Sequence, residues 1–180
     1  MRIVLLFHLT ILYLFAYQYN PFLLKTQVKL YPKIILFEKK LAHKKDGTVE
    51  LGIVYDPIDR YTAIKIFKEL RSNYKMIGKE RFIPKLLKVR DFLTDKNRVD
   101  AIYVLKFPRQ TAKRVAKKAL ENSILSFVYD VEDLRYGFVI GVDIQKDLVI
   151  YLNKKAFLKG HFEFVDSFFQ MVRFVEDADI

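Results

Sequence analysis

Between Tyr136 and Asn153, two apolar runs, Gly137-Phe138-Val139-Ile140 and Leu148-Val149-Ile150-Tyr151-Leu152, flank a polar centre from Asp143 to Asp147, and this stretch constrains the fold most. β-branched and aromatic runs around a short polar loop predict a hairpin of adjacent antiparallel strands. Asn153 is placed to cap a short helix over 154–159, which Gly160 then ends. From Phe162 onward, Val165, Phe168, Phe169, Val172 and Val175 recur at helical spacing, which predicts a phenylalanine-rich helix to about Val175. The rest of the chain is expected to pack on this unit.

Upstream, the pattern alternates between strands and helices. Leu24, Val28, Tyr31, Ile34, Ile35 and Leu41 form a helical stripe from Pro21 to about Lys45, with Pro32 in its path, so the helix either bends there or restarts. Asp46-Gly47 predicts a turn, and 49–55 a strand stopped by Asp56-Pro57. Asp59 is expected to cap a helix whose inner stripe is Ala63, Ile66, Phe67, Leu70 and Tyr74. A weaker strand over 80–90, interrupted by Pro84, belongs at an edge. The unbroken apolar run 101–105 belongs at the centre, and 124–129 reads as another buried strand. Between them 109–121 is an amphipathic helix with Ala112, Val115, Ala116, Ala119 and Leu120 facing inward. These elements define an α/β fold: one domain with a mixed sheet, mainly parallel βαβ units with right-handed crossovers, a C-terminal antiparallel hairpin and helices on both faces.

The 180 residues, 52% apolar, suffice for one core without staples, and the absence of cysteine excludes disulfides and thiolate metal sites. Met1-Arg2 followed by an apolar run to Tyr17 predicts a signal peptide or N-terminal anchor over 1–20, ahead of a single domain over 21–180. Residues 21–120 carry 25 Lys and Arg against 10 Asp and Glu, whereas 121–180 carry 6 against 11. Such a basic body suits an anionic partner such as a membrane surface, and export removes nucleic acid from the expected partners.

No Walker loop, G-x-G-x-x-G, H-E-x-x-H or G-x-S-x-G is present, and three scattered histidines suggest neither a metal site nor a triad, so neither enzyme activity nor a cofactor is expected. Tyr55, Asp56, Lys106 and Asp130 close predicted strands and would gather at the C-terminal edge of a parallel sheet, where such folds bind ligands. Charged residues in those turns also serve as caps and solubilising groups. Arg109, Lys113, Arg114, Lys117 and Lys118 form the outer face of the 109–121 helix, suited to phosphate, to lipid or simply to water. No aromatic residues are interleaved with them as stacking platforms.

The stretch Val28-Lys29-Leu30-Tyr31-Pro32-Lys33-Ile34-Ile35-Leu36-Phe37, the strands 49–55 and 100–105, and Gly137-Phe138-Val139-Ile140 continuing into Ile150-Tyr151-Leu152-Asn153-Lys154-Lys155-Ala156 and the predicted late helix resemble the YfiR-like periplasmic proteins. The similarity covers roughly 25–175. It implies a small exported α/β protein, often a homodimer, that binds an inner-membrane signalling protein and in the best-known members represses a diguanylate cyclase. The chain departs from that pattern in having no cysteine and no tryptophan, so the family's disulfide-linked redox control does not transfer. The leading expectation is therefore a periplasmic, non-enzymatic regulator acting through a membrane-protein partner. The alternative is a periplasmic small-ligand-binding module using the strand-end crevice.

Overall fold

The computed structural model describes residues 18–94 and 98–176. Of the signal peptide or anchor read over 1–20, residues 1–17 lie outside them while 18–20 are described, with Asn20 capping the first helix, and among the described residues no helix is long and apolar enough to cross a membrane.

One mixed sheet of eight strands organises the chain, in the order β2-β3-β1-β4-β5-β6-β7-β8. The strands are β1 (Thr48–Tyr55), β2 (Met76–Ile77), β3 (Glu80–Lys88), β4 (Ala101–Val104), β5 (Leu125–Val128), β6 (Ile140–Ile144), β7 (Leu148–Asn153) and β8 (Val172–Val175). β3, β1, β4, β5 and β6 run parallel, β2 is antiparallel to β3 and β7 to β6, and β8 runs parallel to β7. The helices are α1 (Pro21–Ile35), α2 (Lys39–Ala42), α3 (Arg60–Asn73), α4 (Val89–Thr94), α5 (Arg109–Glu121), α6 (Lys154–Lys159) and α7 (Asp166–Phe169). Short 3-10 turns cover Pro57–Asp59 and Val131–Tyr136.

Strand periodicity sorts the core into two layers. Ile53, Tyr103, Phe127, Ile140 and Leu152 are register neighbours across the sheet and face α1 and α3. One residue on, Val54, Val104 and Val128 face the opposite layer with α4, α5 and Leu134. Gly141 follows in that second row, where a Cβ would approach Val131 Cγ1 to 3.0 Å, so glycine lets the 131–136 turn lie flat on the sheet.

The α1 layer carries a buried polar network. The Gln27 side chain donates to the carbonyls of Tyr129 and Val142, each at 2.8 Å, and accepts the Tyr103 hydroxyl at 2.5 Å. Tyr31 stacks on Phe127 with ring centroids 4.5 Å apart and donates to the Val128 carbonyl at 2.7 Å. These bonds satisfy polar groups that would otherwise be costly to bury, and they fix where α1 sits along the sheet.

Four expectations are corrected. The predicted C-terminal helix is instead the single turn α7 followed by β8, because the unpaired side of β7 accepts Val172–Val175 in register with Ile150–Asn153. The periodic apolar positions there are shared between two periods. The packing centre is β1, β4 and β5, which carry the buried Leu51, Ile53, Tyr103 and Phe127, with the hairpin as a lateral extension. Asp59 makes no side-chain cap bond to α3; Asp56 caps the preceding turn by accepting from the Ile58 N–H at 3.2 Å. The helix predicted to about Lys45 runs through Pro32, ends at Ile35 and resumes as α2. Pro84 lies on a stretch of β3 that β2, paired only with Glu80 and Arg81, leaves uncovered.

Candidate functional site at the strand ends

In the parallel part, the order β3-β1-β4-β5-β6 reverses between β1 and β4: the chain moves outward from β1 to β3, then crosses back to the other side of β1. At such a switch point the two following loops separate, and the crevice outside the carboxyl ends of the strands is where open α/β sheets bind ligands.

Lys106 follows β4, and its Nζ lies 2.9 Å from Oδ2 of Asp130, which follows β5. The two side chains are 29% and 31% exposed, which leaves both within reach of a solute. Burial works against the Lys106 charge, but the Asp130 carboxylate outweighs it and holds the ammonium above its ordinary pKa. The same ammonium lies over the Tyr129 ring, 5.6 Å from its centroid. Asp130 Oδ1 also accepts from the Glu132 N–H at 3.1 Å, so one carboxylate both pairs with lysine and caps the 131–136 turn.

Of the four sequence-derived residues, Lys106 and Asp130 meet directly. Asp56 faces the same edge while serving as a cap, and Tyr55 is buried in the α1 layer of the core. Three further residues complete the cluster. Tyr19 packs edge-on against Tyr129, with ring centroids 4.7 Å apart, and its hydroxyl oxygen accepts the Lys106 N–H at 3.2 Å. The same hydroxyl bonds Asp59, a buried carboxylate whose Oδ2 has no partner. Burial pushes the Asp59 pKa up, the Tyr19 bond opposes this, and the nearby Asp56 charge adds to it. Asp133 is pushed up to about 7 by burial and then by the charge of Asp130, against the opposing pull of Lys106 and Arg135.

The edge thus holds four carboxylates, one ammonium and two phenol rings within a chain of net charge +11. Asp133 had a readable signal, since it stands three residues after a strand-closing aspartate; Tyr19 had none, because it sits beside the apolar start. Among the described residues no group of three His, Cys, Asp or Glu side chains is arranged to hold a metal ion.

On α5, Arg109, Lys113, Arg114 and Lys117 are exposed, while Lys118 lies over the Phe92 ring at 5.4 Å. Lys113 and Lys117 form one wall of a cavity of about 390 Å³, closed on the other side by Arg135, Lys155 and Lys159.

No family model matches the sequence, and no curated protein matches it. Solved structures do share its fold. A conserved domain protein from Vibrio cholerae O1 biovar El Tor aligns with TM-score 0.56 at 12% identity over 84% of this chain and 59% of its own. A ligand-free, open substrate binding protein with adhesive properties from Clostridium difficile aligns with TM-score 0.54 at 13% identity over 71% of this chain and 54% of its own. An ABC domain in complex with L-Trp from Streptococcus pneumoniae aligns with TM-score 0.55 at 10% identity over 84% of this chain and 61% of its own. None of these names bears on the YfiR-like resemblance. At such identities the likeness is one of fold, and the chain, an α/β domain, spans less than two thirds of the length of each of these neighbours.

Proposed function

We propose that the protein is a small-ligand-binding module, not an enzyme, and that it takes a zwitterion of the aromatic amino-acid class at the strand-end crevice. The observation that carries this reading is the convergence of Lys106, Asp59, Asp133 and two tyrosines at the topological switch point. An α-carboxylate pairs with Lys106 in exchange for part of its Asp130 contact. An α-ammonium meets the carboxylates, including the unpartnered Oδ2 of buried Asp59. An aromatic side chain packs edge-on against Tyr129, as Tyr19 does.

Tyr19 is the internal stand-in for that ligand. Its ring and hydroxyl occupy the crevice, so binding requires the 18–20 segment to move aside, and the apparent affinity falls by the fraction of molecules in which it has not moved. Two of the fold neighbours are a substrate binding protein and a domain in complex with L-Trp, which supports a binding role of this kind. Export to the periplasm, expected from the first residues, suits such a role.

The test is calorimetric titration of L-tryptophan and L-phenylalanine into the wild type, Tyr19→Ala and Tyr19→Ala/Lys106→Glu. Tyr19→Ala should bind about tenfold more tightly than the wild type, and the double variant should lose binding. Absence of saturable binding to Tyr19→Ala, with its fold intact by circular dichroism, would overturn the proposal.

A further inference from the structure

Across the second layer from the strand-end crevice lies a concavity of opposite charge. Its walls come from three elements: Lys113 and Lys117 from α5, Arg135 from the 131–136 turn, and Lys155 and Lys159 from α6. The floor is apolar, formed by Leu120, Gly137 and Ala156. Gly137 takes φ 101° as it ends the 131–136 turn, a left-handed conformation that suits glycine and brings Phe138 into the core beneath the groove. A second opening of about 500 Å³ shares Lys113, Arg135 and Tyr136 with the first and carries the basic lining on to Arg109.

Glu121 is the single acid in the lining of the 390 Å³ cavity, 3.7 Å from Lys117 in an exposed pair. Arg135 has a similarly long, exposed contact with Glu132 at 3.7 Å. Exposed pairs of this length contribute little, so neither neutralises the groove. Lys113 with Lys117 and Lys155 with Lys159 are like-charge pairs at i,i+4, an arrangement that weakens a helix slightly. A merely solvated helix face would carry its charges on one convex side. Here two such lysine pairs, from helices far apart in sequence, face a shared hollow.

From this geometry we infer that the groove is a second binding site, specific for a small, multiply charged phosphate compound. Lys113, Lys117, Arg135 and Lys159 around about 390 Å³ call for several negative charges in a small volume, and phosphate groups supply up to about two each. The Arg135 guanidinium adds a planar fork suited to phosphate oxygens. Concavity favours a discrete solute over a planar lipid surface, which would reach only the rim. A single aromatic, Tyr136, already covered by Arg135 at 5.1 Å, offers no row of stacking platforms for a nucleic-acid strand.

The experiment titrates inorganic tripolyphosphate and ATP separately into the full chain, at two salt concentrations, with Lys113→Glu, Lys159→Glu and Arg114→Glu as variants. Arg114 lies on the same helix but outside the lining, so its reversal changes net charge equally without touching the groove. Saturable binding weakened about tenfold or more by Lys113→Glu and by Lys159→Glu, but less than about twofold by Arg114→Glu, is the expected result. Binding of both probes assigns recognition to the phosphate chain, and binding of ATP alone assigns part of it to the nucleoside; either supports the site. Equal weakening by all three variants would reduce the effect to net charge and overturn it. So would binding only to vesicles of phosphatidylglycerol, or none. Failure here leaves the strand-end proposal standing, since the two sites share no residue.

Discussion

Lys106 Nζ and Asp130 Oδ2 lie 2.9 Å apart, joining the ends of the adjacent parallel strands β4 and β5 on one side of the switch-point crevice. The pair is about a third exposed, so its own contribution to stability is below about 1 kcal/mol. Asp130→Asn keeps an acceptor for the Glu132 N–H and should change stability little, whereas Asp130→Ala also removes the cap and should cost about 1 kcal/mol. Urea unfolding of the two variants side by side separates the pairing from the capping role.

Asp133 makes the fold sensitive to pH in a defined direction. Its folded pKa of about 7 lies above the ordinary 3.8, so between those values the folded state holds a proton that the unfolded state has lost. Stability should therefore fall as pH rises through that window and level off above about pH 7. Asp59, also pushed up, adds to the same trend. Thermal unfolding of Asp133→Asn from pH 4 to 8 should show a flatter profile than the wild type; parallel profiles would show that Asp133 titrates normally.

The buried Gln27 network sets the position of α1. Tyr103→Phe leaves Gln27 Oε1 buried without its donor and should cost about 1–3 kcal/mol. In Gln27→Leu/Tyr103→Phe the second change should cost markedly less than it does alone, because the acceptor is already gone. Chemical denaturation of the four members of this cycle gives the coupling directly.

Asn153 does two jobs from a fully buried position. Its Oδ1 accepts from the Ala156 N–H at 2.9 Å, capping α6, and its Nδ2 donates to the Leu134 carbonyl at 2.8 Å. Asn153→Ala removes both and should cost about 2 kcal/mol. Asn153→Asp keeps the cap but buries a carboxylate beside the Leu134 carbonyl, so its penalty should grow as pH rises above the carboxylate range. A pH-independent penalty for Asn153→Asp would show that the donor to Leu134 does not matter.

Much of this architecture was legible in the residues because period and burial agree. The run 101–105 has no polar interruption and sits at the centre of the sheet; Asn153 stands where a strand ends and a six-residue helix begins. The stretch 162–175 misled because Phe168, Phe169, Val172 and Val175 fit a helical period, while the pairing partner that makes Val172–Val175 a strand lies 22 residues upstream on β7. The strand-end lysine and aspartates could be placed from strand order alone. Tyr19 and the α6 side of the basic groove could not, since only the tertiary structure brings Tyr19 to Asp59 and Lys155 opposite Lys113.

The most direct test of the strand-end site is the amide spectrum of ¹⁵N-labelled Tyr19→Ala titrated with L-tryptophan. Progressive, saturable shifts at Lys106, Tyr129, Asp130 and Asp59, with the α6 amides unmoved, are the predicted result. An unchanged spectrum, or shifts confined to surfaces away from these residues, would contradict a ligand site at the switch point.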